Sequence, residues 1–315
     1  MKWIDRVGRR VKLRDLHIAL AVAEAGSMSK AAERLAVSYP VVSKTISELE
    51  QTLGVRLFDR SISGVQPTPY GRALLNCGVA VFDEMRQGLK QIEFIKQPDA
   101  GELRIGSSEL MDAGLLSAII ERFSQKYPRA VLQVMHSNIV TLQYVDLRNR
   151  DVELILGRIQ APFAEEDLIA ETLFHESMVV VTGTTNRWAR RRLIELRELI
   201  DEPWVLAQPD SLPRRLQEEA FRESGLEAPR ANVVLVSLQL YTMLLATGRW
   251  IGMIPGSIMR YGAKGMSLKI LPVKVLSPPR AVGVVTLKNR TLSPLAARFI
   301  DCARAVTKGL PGPHR

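Results

Sequence analysis

The most constraining feature of this chain is segment 27–51, SMSKAAERLAVSYPVVSKTISELEQ, which has the pattern of two short helices joined by a tight turn. Ser29 is placed to accept hydrogen bonds from the free amides that begin a first helix, and Ser38 is placed to cap a second helix with Pro40 in its first turn. In the second helix, spacings of four, three and four put these apolar residues on one stripe: Val42, Ile46, Leu49 and Leu53. The segment is therefore predicted to be a helix-turn-helix.

The opposite face of the second helix is polar, which favours a DNA-reading surface. In this motif the helix N-terminus enters the major groove, where Lys44 can donate to guanine or phosphate and where Ser43 and Ser47 can reach bases or backbone. The residues predicted to contact DNA are Ser29, Arg34, Ser38, Tyr39, Pro40, Ser43, Lys44, Ser47, Arg56 and Arg60. The alternative is an ordinary helical hairpin with a solvated face.

The distribution of charge supports a polyanionic partner. The formal net charge is +10, and residues 1–72 carry 12 Lys and Arg against 7 Asp and Glu, whereas the remainder carries 31 against 26. Positive charge is thus roughly threefold denser around the predicted helix-turn-helix, where it attracts a polyanion and favours counterion release.

Cysteine usage and hydropathy indicate a cytoplasmic protein. The two cysteines, Cys77 and Cys302, form no CxxC pair and are interpreted as reduced thiols. No uninterrupted apolar stretch approaches the ~18 residues that span a bilayer, and the short apolar run near the N-terminus is not interpreted as an export signal. We therefore expect neither export nor a membrane partner.

A wing and a long helix are predicted after the helix-turn-helix. VRLFDR and VQPT read as two short strands around the tip SISG, flanked by Arg56 and Arg60. Residues 70–96 then stay helical in pattern, with an apolar stripe through Leu75, Gly78, Phe82, Met85, Leu89 and Ile92. A second copy of the protein is predicted to cover this stripe, and the alternative is packing against the chain's own domain.

From residue 102 strands and helices alternate, which indicates two α/β lobes. LRIGSS, VLQVMHS and VELILGR form one set of strands, and MVVVTG, WVLA, ANVVLVS and IGMIPG form a second set. Such order favours mainly parallel sheets, and the late strand AVGVVTLK is expected to return to the first set. Two lobes joined by crossing strands would leave a cleft between them.

The segments LRDL, GSMSKAAERLAVSYPVVSKTISELEQTLGVRLFDR and GVQPTPYG, followed by a long helix and two α/β lobes, resemble the LysR-type transcriptional regulators of bacteria. The resemblance implies an α+β multidomain protein: a winged helix-turn-helix at 1–68, a dimerising linker helix at 69–97, and at 98–315 an effector-binding domain resembling type 2 periplasmic-binding proteins. Lobe I is placed at about 101–174 and 282–308, and lobe II at about 175–281.

The same resemblance implies a sequence-specific regulator of transcription controlled by a small metabolite. Its expected partners are promoter DNA carrying an interrupted inverted repeat, other copies of itself in a tetramer, and RNA polymerase. Two positions depart from the family pattern, because Tyr39 stands where glutamine is common and Lys44 stands where arginine is frequent. These departures alter which bases are read.

Positions that line the family's effector cleft match strand ends in this chain: Ser107, Ser108, Ser137, Asn138, Arg158, Gln208 and Ser237. Hydroxyls, amides and helix N-termini suit a carboxylate or a hydroxylated ligand, so an organic acid or a sugar is expected and no cofactor. Arg158 resembles an arginine of regulators of aromatic-acid breakdown, and its positive charge favours an anion. The alternative for Arg158 is a structural salt bridge.

Two other classes of protein compete with this interpretation. An enzyme is not favoured, because the chain has no GxSxG, P-loop or GxGxxG and its histidines show no metal spacing: His17, His136, His175 and His314. No catalytic or metal-binding residue is therefore predicted. A cytosolic solute-binding protein without DNA function fits the two lobes but leaves residues 13–72 unexplained.

Overall fold

The computed structural model describes residues 10–61, 64–136, 144–262, 266–276 and 278–310. The chain divides into two compact units, Met1–Leu89 and Lys90–Arg315. Within the described ranges, no helix has the length and apolar character needed to cross a membrane.

The first unit is a winged helix-turn-helix, as predicted. Its elements are α1 (Leu13–Ala25), α2 (Met28–Arg34), α3 (Tyr39–Leu53), β1 (Phe58–Ser61), β2 (Gly64–Pro67) and α4 (Pro69–Lys96), whose last turns enter the second unit. Strands β1 and β2 pair antiparallel from Phe58 opposite Pro67 to Ser61 opposite Gly64. Residues 62–63 of the predicted wing tip lie outside the described residues.

Helix α1 packs against the other helices of its unit. It ends at Gly26, whose φ of 59° is the left-handed conformation that glycine adopts readily. Leu13 at its N-terminus is 44% exposed, while Ile18 and Val22 enter the core shared with α2 and α3. The neighbouring face meets α4, because a Cβ on Gly78 would lie 3.5 Å from Leu20 Cδ1. The helix therefore packs on two sides.

The apolar stripe of α4 is divided between two environments. Its N-terminal half packs within its own unit: Leu75 contacts the three-helix core, and the Phe82 ring centre lies 5.7 Å from that of His17. Its C-terminal half is exposed, at 47% for Met85 and 60% for Leu89. Packing against the chain's own domain thus accounts for half of the stripe and leaves the other half uncovered.

The second unit contains a succession of strands and helices. They are β3 (Ala100–Ser107), a helical turn (Glu109–Met111), a π-helical stretch (Asp112–Leu116), α5 (Ser117–Lys126), β4 (Arg129–His136), α6 (Val145–Arg148), β5 (Leu154–Arg158), β6 (Leu168–Glu176), β7 (Met178–Gly183), two 3₁₀ turns (Arg187–Arg190 and Leu196–Leu199), β8 (Trp204–Ala207), α7 (Leu212–Glu223), β9 (Ala231–Leu235), α8 (Leu238–Ala246), β10 (Ile251–Pro255), a π-helical stretch (Ile258–Gly262), β11 (Leu268–Ile270), β12 (Arg280–Leu287) and α9 (Pro294–Thr307).

Lobe I is built on a five-stranded sheet with the order β4-β3-β5-β12-β6. Strands β3, β4 and β5 are parallel, and β12 returns to pair antiparallel with β5, as expected for AVGVVTLK. Strand β6, which was not predicted, pairs antiparallel with β12. Helices α5 and α9 cover one face through Phe123 and Phe299, whose ring centres lie 5.7 Å apart. The sheet is therefore mixed rather than mainly parallel.

Lobe II has the order β11-β7-β10-β8-β9, with β10, β8 and β9 parallel and β7 antiparallel to β10 and β11. The hydroxyl of buried Tyr241 ties two strands together, because it donates to the Val205 carbonyl at 3.0 Å and accepts from the Met253 amide at 2.8 Å. Burial raises the pKa of Tyr241, so this hydroxyl stays protonated. The bonds hold β8 beside β10, and with them the loops at their carboxyl ends.

Candidate functional site

The first helix of the helix-turn-helix begins one residue earlier than a Ser29 cap would require. Met28 is only 4% exposed, so the helix must already be formed there to direct this side chain into the core. Ser27 remains extended, at φ −158°, and its hydroxyl accepts from the Lys30 amide at 3.5 Å. The prediction of Ser29 as cap was wrong. Ser29 lies in the first turn of α2, with its side chain exposed.

The second helix begins where it was predicted to begin, but its cap is made by backbone alone. Ser38 has extended dihedral angles, and its carbonyl accepts from the Val41 amide at 3.0 Å, while its hydroxyl makes no capping bond. Tyr39 and Pro40 form the first turn, and all three side chains are exposed. The hydroxyl of Ser38 and the ring of Tyr39 are therefore accessible at the N-terminus of α3.

The two faces of α3 are separated as the sequence predicted. Val42 and Ile46 are fully buried, whereas the side chain of Lys44 is 77% exposed and its Nζ lies 3.8 Å from Glu48. An exposed ion pair at this distance contributes little to stability. Lys44 can therefore leave Glu48 and bind an external anion. The Ser47 hydroxyl donates to the Ser43 carbonyl at 2.9 Å and keeps its lone pairs for a donor.

The predicted arginines of this unit lie in three settings. Arg34 pairs with Glu24 at 2.5 Å on the surface, whereas Arg56 and Arg60 are exposed before and within β1. The wing itself is joined to α3 by a contact that sequence reasoning missed, since Glu50 Oε1 accepts from the Leu57 amide at 2.7 Å. The hydrophobic periodicity of α3 does not predict this contact, because it does not distinguish Glu50 from any other polar residue of the helix.

At the carboxyl edge of the lobe I sheet, the structure brings together part of the predicted effector set. Ser107 is the last residue of β3 and Arg158 the last of the neighbouring β5; Ser107 is fully buried and the Arg158 side chain is 12% exposed. Ser108 follows Ser107, and its carbonyl accepts from the Asp112 amide at 2.9 Å. The predicted Ser137 and Asn138 lie outside the described residues.

Lobe I meets lobe II closely beside this edge. A Cβ on Gly262 would lie 1.8 Å from the Ala113 carbonyl oxygen, so only glycine permits this approach of the two backbones. Glu176, 4% exposed, bridges the contact: its Oε1 lies 3.3 Å from Arg158 Nη2 and its Oε2 accepts from the Ser257 amide at 3.3 Å. We call Ser107, Asp112, Arg158, Glu176 and Ser257 the junction cluster.

The junction cluster contains polar atoms without a hydrogen-bond partner. Among the described residues these include Ser107 Oγ, Asp112 Oδ1, Arg158 Nη1 and Ser257 Oγ, all buried. The other carboxylate oxygen of Asp112 lies 2.6 Å from His136 Nε2. Buried polar atoms are nearly always paired in folded proteins, so a group of unpaired donors and acceptors indicates a place for a ligand or for water.

The two predicted effector residues of lobe II lie at the corresponding sheet edge but outside the junction cluster. Gln208 follows β8, is exposed, and its carbonyl accepts from the Ser211 hydroxyl at 2.6 Å. Ser237 follows β9 and caps α8 by accepting from the Leu240 amide at 3.2 Å. Ser237 therefore has a structural role in the cap.

Sequence reasoning missed three members of the junction cluster: Asp112, Glu176 and Ser257. Asp112 lies in a π-helical stretch, Glu176 ends the unpredicted β6, and Ser257 comes from the other lobe. The strand order of lobe I and the contact between the lobes bring these residues together, and no spacing in the sequence signals it. Among the described residues, no group of three or more His, Cys, Asp or Glu side chains is arranged to hold a metal ion.

Comparison with known proteins gives a consistent result for both units. The protein-family model "Bacterial regulatory helix-turn-helix protein, lysR family" matches residues 13–72, and the family model "LysR substrate binding domain" matches residues 96–308. The HTH-type transcriptional regulator YdcI of Escherichia coli (strain K12) is 27% identical over 304 residues, which cover 96% of this chain and 97% of that protein.

Solved structures agree with this chain in fold. Full-length CbnR in complex with its target DNA has a TM-score of 0.54 at 20% identity, covering 95% of this chain and 100% of that one. A full-length OxyR variant from Pseudomonas aeruginosa has a TM-score of 0.60 at 21% identity, covering 95% of both chains.

Proposed function

Because the chain belongs to the LysR family of helix-turn-helix regulators, with the family models matching most of its length, we propose that α3 reads promoter DNA and that the junction cluster takes the effector. The protein is a DNA-binding transcriptional regulator with an effector-binding domain. This function excludes the solute-binding alternative, which has no role for residues 13–72. The proposed location is the cytoplasm, where promoter DNA is found.

The DNA-reading residues are proposed from their exposure on α3 and beside the wing. Ser38, Tyr39, Pro40, Lys44 and Ser47 all present exposed side chains. Lys44 carries the strongest argument, because it combines a positive charge, 77% exposure and a position one turn from the helix N-terminus.

We expect Lys44→Ala to weaken binding of the regulator to its selected operator by roughly 1 to 3 kcal/mol if the ammonium contacts a base, and by less if it contacts phosphate alone. The measurement is fluorescence anisotropy with an operator obtained by selection from random-sequence DNA. Lys126→Ala removes the same charge from an exposed helix position in lobe I and is the control. Equal affinity of both variants and wild type would exclude Lys44 as a reader.

Dimerisation through the linker helix is proposed from the exposed half of the α4 stripe. Its apolar side chains recur at helical spacing and are all at least 47% exposed: Met85, Leu89, Ile92 and Ile95. A second α4 helix would bury them, and paired wings would then meet two half-sites of an inverted repeat. Assembly to a tetramer and contact with RNA polymerase are further proposals that the family membership supports.

The effector is proposed to be a small molecule rich in hydrogen-bonding groups and without net charge. The charge of Arg158 by itself favours an anion, but Glu176 places a buried carboxylate against that guanidinium. An organic acid would have to displace Glu176, whereas hydroxyls can pair with Ser107, Ser257 and the free Nη1 of Arg158 as they stand. A sugar-like ligand is therefore preferred to an organic acid.

The unpaired hydroxyls make this proposal testable without loss of the fold. Ser107→Ala and Ser257→Ala are expected to leave the melting temperature unchanged or slightly raised, because neither hydroxyl has a hydrogen-bond partner among the residues that the structure describes. Each should weaken binding of the effector by about 0.5 to 1.5 kcal/mol. A thermal-shift screen of sugars and organic acids would supply the ligand, and calorimetry would measure its affinity.

Ser293→Ala is the matched control for these two variants. Ser293 is also buried, but its hydroxyl accepts from the Ala296 amide at 3.2 Å and caps α9. Its loss should lower stability by about 1 kcal/mol and leave effector affinity unchanged. If Ser107→Ala and Ser257→Ala behave like Ser293→Ala, the junction cluster is not the effector site.

A further inference from the structure

An arginine cluster lies on lobe II, away from the junction cluster. Arg190, Arg191 and Arg192 are consecutive and exposed, from the last residue of the first 3₁₀ turn toward Ile194. This segment follows the end of β7, which pairs antiparallel with β10, and so lies at the opposite sheet edge from Ser257. The cluster is thus separate from the proposed effector site.

The backbone beneath the cluster is well anchored. Ala189 is 2% exposed and its carbonyl accepts from Lys269 Nζ at 2.5 Å, while the Arg191 amide donates to the Trp188 carbonyl at 3.1 Å. Ile194 is buried on the other side and donates its amide to the Pro272 carbonyl at 3.2 Å. Three guanidinium groups are therefore presented from a fixed stretch of chain.

Further cations surround the three arginines. The guanidinium carbons of Arg187 and Arg191 lie 5.3 and 5.8 Å from the Trp188 ring centre, a cation–π arrangement that orients both side chains. Asn186 Nδ2 donates to the Gly248 carbonyl at 2.7 Å, which brings the adjacent, exposed Arg249 to the same edge. The cluster thus extends beyond one segment.

Little of this charge is neutralised within lobe II. Glu202 pairs with Arg187, and Glu195 pairs with Arg197 at 2.9 Å. Across the described part of the chain, no carboxylate forms an ion pair with Arg190, Arg191 or Arg192. Closely spaced like charges repel one another, and an external polyanion would relieve this repulsion.

We propose that this cluster binds the phosphate backbone of promoter DNA, as a second and sequence-independent contact beyond the helix-turn-helix. The inference rests on the proposed DNA-binding function, which already brings a long polyanion to the protein. Guanidinium groups pair with phosphate oxygens in bidentate geometry, and consecutive arginines can follow successive phosphates without reading bases. DNA is favoured over an acidic protein surface because it is the partner that the protein's function supplies.

The test compares two triple variants of the full-length protein. The first is Arg190→Ala, Arg191→Ala and Arg192→Ala; the control is Arg122→Ala, Arg215→Ala and Arg222→Ala, which removes the same charge from dispersed, exposed positions. The probe is a duplex that carries the selected operator and extends several helical turns beyond it on both sides. Affinity is measured over a range of salt concentrations, together with the melting temperature of each variant.

We expect the cluster variant to melt like wild type and to lose about 0.9 from the slope of log affinity against log salt for each lost phosphate contact, a total of about 2 to 3. The control variant should keep the wild-type slope. Equal slopes for both variants would overturn the inference and direct attention to an acidic protein partner. Failure of the wild-type protein to select any DNA sequence would instead reject DNA reading by α3, and this inference with it.

Discussion

Replacing Glu176 with alanine is expected to destabilise the second unit by about 3 to 5 kcal/mol, because it leaves the guanidinium of Arg158 buried without a counter-charge. The side chains of Arg158 and Glu176 are 12% and 4% exposed, so water cannot replace the lost carboxylate. The Ser257 amide would lose its acceptor as well. Urea unfolding followed by tryptophan fluorescence reports this change, since the buried Trp188 and Trp204 both lie in lobe II.

Two further variants show whether burial of the pair is responsible. Glu171→Ala removes a carboxylate from an ion pair with Arg304 in which both side chains are well exposed, and it should cost less than about 1 kcal/mol. Changing both members of the buried pair, Arg158→Met with Glu176→Leu, should restore much of the stability because no unpaired charge remains. If Glu176→Ala is no more harmful than Glu171→Ala, the buried pair does not stabilise the contact between the lobes.

Leu89→Lys is expected to abolish dimerisation through α4 at micromolar concentration. Leu89 is 60% exposed at the middle of the uncovered stripe, so a two-fold symmetric contact would bury it in both copies. Loss of two buried leucine side chains costs about 3 to 6 kcal/mol, and each 1.4 kcal/mol is about a tenfold change in the dissociation constant. Analytical ultracentrifugation of the full-length protein and of residues 1–98 measures the shift.

Gln91→Lys is the matched control for this experiment. Gln91 lies two residues from Leu89 on the same helix, is exposed, and points away from the apolar stripe, so the variant adds the same charge without entering the seam. It should dimerise like wild type. A Leu89→Lys protein that remains dimeric as residues 1–98 would exclude α4 as the dimer contact and would place association in the α/β lobes.

The sequence by itself determined the features that depend on local periodicity and turn chemistry. Spacings of four and three in α3 predicted that Val42 and Ile46 would be buried and that Lys44 would be exposed, and the structure has them so. Strands of both lobes that follow glycine, proline or serine turns were also predicted. Each of these features is decided within a few residues, where side-chain alternation and caps outweigh distant contacts.

Only the tertiary structure decided which side chains share an environment across long separations. Ser29 reads as a cap in sequence, but the burial of Met28 makes Ser27 the cap. The sequence around Arg158 indicates a single positive charge. In the structure Glu176 neutralises it, because β5, β6 and the contact between the lobes bring the pair together. Packing sets these distances through the whole sheet and both lobes, and a local pattern contains no information about them.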